Sequence, residues 1–402
     1  MKKYTFGLLF LLLISSYVYS QSKNKGKYIE YKNNFLEKTI KDLNAFNTKE
    51  KAKKKTYKMN FDGIDIPNSI KEYKTFWHNA PISQGITGMC WDFSTTSYFE
   101  SEIYRIHGKK IKLSEVHTAY WEYVEKAREY VRTRGKSLFA EGSEGEAVKR
   151  NWLKHGVVTE EAYNGLLPGQ PNHDHRKLYN EMKTYLNSVK ESNAWNEKTV
   201  LETIKSILNH YLGTPPKKFK YEGKIYTPKE FFKKVVNLNM DDYVEFVSTI
   251  KYPFYQKVEF DVPDNWWHSK NYYNIPLNKF ISGIKKAVRN GYSVAIGGDV
   301  TEAGYSSSAE AAIVPSFDIP AEYINQYSRE FRIANGTTAD DHGIHIVGFL
   351  EKDGKDWYLI KDSGSGSRNG KNKGYYFYQE DYVKLKMLSF MVHKDIAETL
   401  IK

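Results

Sequence analysis

The 402-residue chain holds a single cysteine, Cys90, so no disulfide can form within it. A small exported domain without disulfides would be short of stabilising contacts, but about 380 residues can bury a core of their own and divide into two lobes. Long apolar runs are equally scarce. Only residues 6–14 form one, and about nine residues are too few to cross a bilayer. Preceded by Lys2 and Lys3 and followed by Val18-Tyr19-Ser20, this run has the make-up of a secretory leader cleaved near Ser20. No cysteine follows Ser20 closely enough to carry a lipid. The expectation is therefore an exported protein, periplasmic or secreted, with no membrane insertion. Internal repeats are also absent.

The formal charge of +12 falls to about +10 once Lys2 and Lys3 leave with the leader. It is spread over Lys-rich surface stretches, which gives a general attraction to polyanions and no specific nucleic-acid reader. Residues 21–60 are Lys- and Asn-rich and read as a loosely docked extension. Residues 61–156 are mostly helical: one helix runs from Cys90 to about Ile106, a second starts under Ser114, and a third ends at Gly156. The middle, 157–290, carries helical stripes closed by Gly213 and Gly291 and few chemical clusters. The end, 291–402, turns to strands, with Asp353-Gly354 as a hairpin turn between two of them.

That hairpin places His342 at the start of one strand and Asp362 at the end of its partner. The loop of residues 84–89 leads into a helix that opens on Cys90, a position whose backbone N–H groups and dipole favour a thiolate. A thiol, an imidazole and a carboxylate together are the parts of a nucleophilic cysteine site. The side-chain amide of Gln84 and the backbone N–H of Cys90 are the candidate donors to a developing oxyanion. His345, on the opposite strand face, reads as structural. His173-Asp174-His175 lacks further ligands at a metal-binding spacing and reads as a polar loop. The Gly-rich run 364–370 precedes a strand rather than a helix, so it is no phosphate cradle.

The run Gln84-Gly85-Ile86-Thr87-Gly88-Met89-Cys90-Trp91 resembles the signature of papain-family cysteine peptidases. Leu113-Ser114-Glu115, Tyr120-Trp121-Glu122, Glu125-Lys126-Ala127, His155-Gly156-Val157-Val158, Leu212-Gly213-Thr214-Pro215-Pro216, Asp241-Asp242-Tyr243-Val244 and Gly298-Asp299-Val300 are similar to the bleomycin hydrolase and aminopeptidase C branch. The resemblance spans residues 77–395. It implies an α+β, papain-like two-lobe fold: a helical lobe carrying Cys90, a barrel-like β-rich lobe carrying His342 and Asp362, and a long helical insertion over 157–290. It further implies Cys90 as nucleophile, His342 as base, Gln84 as oxyanion donor, and Asp362 where the family has asparagine. Peptides or proteins are the implied substrates, with no metal or organic cofactor, and the branch admits a homo-oligomer.

Three departures from the branch bear on function. Asp362 brings a negative charge that favours the imidazolium of His342. Gly364 replaces a shielding tryptophan, which is expected to leave the His342–Asp362 bond wetter. The sequence after Met391 is short of the branch's C-terminal arm, which opens endopeptidase as well as aminopeptidase action. The expected function is an exported cysteine peptidase working through an acyl-enzyme on Cys90. The alternatives are a peptide-binding pseudo-peptidase with weakened catalysis and an acyltransferase using the same triad.

Overall fold

The computed structural model describes residues 26–43 and 55–401; the leader expected at residues 1–20 lies outside them. Strand β1 (Gly26–Glu30) pairs antiparallel with β2 (Lys55–Met59), and α1 (Asn34–Leu43) follows β1. This part of the extension is held by specific bonds and is not loosely docked. Asn33 Nδ2 donates to Ser365 Oγ at 3.1 Å, and the backbone N–H of Phe35 donates to Asn369 Oδ1 at 2.6 Å. A two-residue strand, β3 (Lys74–Thr75), precedes the cysteine loop.

Helices then dominate: α2 (Cys90–His107), α3 (Glu115–Arg132), α4 (Gly145–His155), α5 (Arg176–Glu191) and α6 (Glu197–Leu212). Their ends follow local chemistry. Gly108 stops α2 with φ 66°, a left-handed conformation that costs glycine little, and the Ser114 side chain accepts the His117 N–H to start α3. Val200, Leu201, Ile204, Ile207, Leu208 and Leu212 bury one stripe of α6, in the same core as Phe99 and Trp152. A small hairpin, β4 (Phe219–Tyr221) with β5 (Lys224–Tyr226), leads to a single turn, α7 (Pro228–Phe231).

The remaining elements are β6 (Tyr243–Val247), β7 (Gln256–Val258), β8 (Tyr272–Asn274), α8 (Leu277–Arg289), β9 (Val294–Gly298), β10 (Tyr305–Ser306), β11 (Ala311–Ala312) and α9 (Gln326–Ala334). They are followed by β12 (His342–Lys352), β13 (Lys355–Lys361), β14 (Tyr375–Gln379), α10 (Glu380–Lys386), β15 (Met387–His393) and α11 (Lys394–Ala397). One sheet collects most strands in the order β10-β11-β14-β13-β12-β9-β15-β6-β8-β7, with β3 paired to β12. The β12–β13 turn is built on Asp353 (φ 52°) and Gly354 (φ 73°), both left-handed, as a two-residue hairpin requires.

Two expectations need correction here. The sheet is not barrel-like: it is open, and its outer members β10 and β7 have two and three residues, too few hydrogen-bonding groups to carry the ladder round. The middle section is not only helical either, because β6 and β8 come from it and pair parallel to each other, with β6 antiparallel to β15. The lobe boundary therefore runs through a continuous sheet. Among the described residues, no helix is long and apolar enough to cross a membrane.

A buried carboxylate fastens the helical side to the middle section. Glu122, on α3, is 2% exposed. It accepts from Ser143 Oγ at 2.8 Å, Asn151 Nδ2 at 2.7 Å, Trp266 Nε1 at 2.7 Å and Arg150 Nη2. Burial alone would push its pKa up; Arg150 and Lys126 outweigh burial and hold it below the usual range, so the group stays ionised. Replacing Glu122 with alanine orphans four donors and leaves the Arg150 charge uncompensated. The expected cost is about 3 kcal/mol of folding stability, read by urea denaturation; a loss within the scatter of surface substitutions would show the node to be dispensable.

Candidate active site

The site forms where the first turn of α2 crosses the start of β12. Gly343 sets the distance of approach. A Cβ there would lie 2.7 Å from Ser94 Oγ and 3.1 Å from Trp91 Cα, so only glycine lets the helix lie this close to the strand. The first residue of α2 is Cys90 and the first of β12 is His342. The crossing therefore delivers the thiol to the imidazole.

Cys90 is partly exposed, and α2 opens on Met89 without a side-chain cap. First-turn N–H groups have no partner inside a helix, so that of Cys90 faces any negative charge that develops beside the sulfur. His342 Nε2 bonds Asp362 Oδ1 at 2.9 Å, which leaves Nδ1 as the nitrogen for the thiol. Burial by itself pushes the His342 pKa down, but the Asp362 carboxylate and Cys90 outweigh burial and hold it well above the ordinary 6.5. The carboxylate responds in kind: burial pushes it up, while His342 and the Gly364 N–H keep it below its usual value.

The expected wetting of this bond through Gly364 does not occur. Asp362 is 2% exposed, and the Gly364 N–H donates to Asp362 Oδ1 at 2.6 Å. A Cβ on Gly364 would sit 3.0 Å from that oxygen and 3.3 Å from His342 Nε2. The backbone itself lies where an indole would otherwise be needed. Ser367 Oγ donates to the carbonyl of Asp362 at 3.2 Å, and α1 braces the loop from outside through Asn33, Ser365 and Asn369. Asp362 Oδ2 is buried without a hydrogen bond, and His342, with the Gly364 N–H and the Arg368 charge, keeps the carboxylate ionised.

Gln84 reaches the same place from the cysteine loop. Its backbone N–H donates to the Ser363 carbonyl at 3.0 Å, and its Oε1 accepts from Ser363 Oγ at 2.7 Å. Nε2 donates one hydrogen to the Thr87 carbonyl at 2.8 Å, leaving the other for an oxyanion. The loop is braced by the run 173–175: the His173 carbonyl accepts the Ile86 N–H and the His175 N–H donates to the Ile86 carbonyl. Gly85, at φ 68°, is required there, since a Cβ would lie 2.2 Å from the His173 carbonyl oxygen. His345 lies behind the site, its Nδ1 2.9 Å from Ser97 Oγ, to which the buried Lys361 also donates at 2.8 Å.

Sequence reasoning missed the cleft wall next to this constellation. Glu144, Glu245, Asp264, Asp340 and Asp341 line one space with Cys90 and His342. Two of them were legible: Asp340 and Asp341 directly precede the histidine. Glu245 left a fainter signal, an acid between Tyr243 and Val247 at an inward position of a strand. Asp264 left none, because it stands in irregular chain between β7 and β8.

A model of the Peptidase C1-like family matches residues 159–401, which hold His342 and Asp362. Aminopeptidase G of Lactobacillus delbrueckii subsp. lactis is 22% identical over 357 residues, covering 78% of this chain and 80% of that protein. Aminopeptidase C of Streptococcus thermophilus is 22% identical over 366 residues, with 78% and 80% covered. The crystal structure of PepW from Lactobacillus rhamnosis superposes with a TM-score of 0.67 at 19% identity over 81% of this chain and 82% of that one, a likeness of fold.

Replacing Asp362 with asparagine removes the charge and keeps an acceptor for Nε2. The His342 pKa should then fall toward 6.5, followed by NMR titration of the imidazole. An unchanged pKa would show that Asp362 does not set the charge of the histidine.

Proposed function

We propose, from the premise that the chain belongs to the Peptidase C1-like family and is a papain-like cysteine peptidase, that Cys90, His342, Asp362 and Gln84 carry out its chemistry. The observation that carries this reading is the contact of α2 with β12, which sets a lone thiol beside an imidazole already bonded to a buried carboxylate. The thiolate of Cys90 attacks the peptide carbonyl carbon, forming a C–S bond while the carbonyl electrons move to oxygen. The Cys90 N–H and the free N–H of Gln84 Nε2 receive that oxyanion. As it collapses, the C–N bond breaks and His342 Nδ1 gives its proton to the departing amine. Water then attacks the thioester with His342 taking its proton, and the acid product leaves Cys90 free.

Throughout the cycle Asp362 fixes the tautomer by holding Nε2–H and stabilises the imidazolium that must be present when the amine departs. Its charge extends the pH range over which His342 stays protonated. The names of the relatives, aminopeptidases C and G, support removal of residues from free N-termini as the mode of action. The leader-like residues 1–20 support action outside the cytoplasm.

Cys90→Ala should fold as the parent does and lose at least about 1,000-fold in turnover of peptide substrates; full activity in that variant would overturn the assignment. One peptide offered with a free and with an acetylated N-terminus, its fragments weighed by mass spectrometry, reads the mode. Cleavage of the free form alone is expected, and internal cleavage of the acetylated form would show endopeptidase action instead.

A further inference from the structure

The five carboxyl groups of the cleft come from four separate pieces of chain: the residue before α4, strand β6, the segment between β7 and β8, and the two residues before β12. A solvated acidic face would be served by nearby lysines. None of these five takes part in an ion pair among the described residues. The nearest cations are otherwise engaged: Lys126 donates to the carbonyls of Ala140 and Gly142, and Lys149 to that of Tyr243 at 2.7 Å. His342 on the same wall is committed to Asp362.

The cost of this arrangement shows in the acids themselves. Burial first and Glu146 second push Glu245 up to about 8, and burial likewise raises Glu144, Asp264, Asp340 and Asp341. Glu144 is 6% exposed, and its Oε1 is buried with no hydrogen-bond partner. A buried acceptor without a donor is a destabilising feature that a ligand N–H would remove. Among the described residues no three of these acids are disposed to share a metal ion. The space, about 50 Å³, has room for roughly three or four waters, or for the end of one side chain or a chain terminus.

We propose that this cleft is a cation-binding subsite that seats an ammonium or guanidinium group of the peptide substrate next to the bond cleaved at Cys90. The proposal rests on the peptidase reading for the word substrate, while the site itself rests on the unpaired acids. Two sources share the chemistry: a free α-amino terminus, and a lysine or arginine side chain. In either case the subsite decides which peptides are held with their carbonyl at the sulfur.

Binding to Cys90→Ala protein by calorimetry tests the subsite independently of turnover. Three otherwise identical peptides serve as probes: acetyl-lysine, acetyl-norleucine, and norleucine with a free amino terminus at the leading position. A cationic peptide should bind at least about ten-fold tighter than the acetyl-norleucine peptide, and the one that does identifies the source. That advantage should shrink severalfold in the paired substitution Glu245→Gln with Asp264→Asn, and independently in Glu144→Ala, which removes the orphaned oxygen. Equal affinity for all three peptides, no binding of any, or an advantage untouched by both variants would overturn the proposal. Wild-type turnover of the same peptides is read apart. Charge-dependent binding without hydrolysis would sink the peptidase reading and keep the cation site; hydrolysis blind to charge would do the reverse.

Discussion

Everything chemical in this protein depends on how closely one helix can lie on one strand. The thiol and the imidazole are some 250 residues apart in the chain, and they meet only because Gly343 has no side chain to hold α2 away from β12. The seam is then pinned at several points. Gln84 bonds Ser363 through both backbone and side chain, and behind it Ser97 joins Lys361 and His345. These bonds tie the cysteine loop and α2 to the two strands of one hairpin, so thiol and imidazole cannot drift apart without breaking buried polar contacts. Such contacts are costly to open, because each group left behind loses its partner without gaining water.

The same region concentrates carboxyl groups in a protein whose formal net charge is +12. Asp362 stands on one side of His342, and Asp340 and Asp341 precede it in sequence; Glu144, Glu245 and Asp264 complete the cleft. The cleft thus gathers acids in a protein whose surface is on average basic, and burial raises the pKa of the five that line it. Net charge governs long-range encounter, whereas the groups within a few ångströms govern protonation and orientation.

Much of this was legible because it is local. The α2 stop at Gly108, the Ser114 cap, the Gly156 and Gly213 ends and the Asp353-Gly354 turn all follow from backbone preferences of single residues. The hairpin also placed Asp362 beside His342. What escaped was non-local. Strands β7, β8, β10 and β11 have two or three residues, too few to display an alternating period, and the β6–β8 and β11–β14 pairs are parallel, joined by no turn that a sequence can announce. The effect of Gly364 was misjudged for a related reason. Substituting a small residue for a large one predicts exposure only if the backbone stays put, and here the loop itself occupies the space.

Strand β6 gives the middle section a standing that its position between the two halves conceals. It pairs with Ser389–His393 of β15, whose other side is held by β9. Excising residues 157–290 to obtain a minimal enzyme would strip β15 of its outer neighbour and leave a buried, hydrophobic ladder open to other chains, the usual start of aggregation. It would also remove Glu245 and Asp264 from the cleft. Shortening or grafting experiments in this protein have to treat that segment as part of the catalytic body, and variation that changes what the cleft accepts has to be accommodated without loosening the sheet.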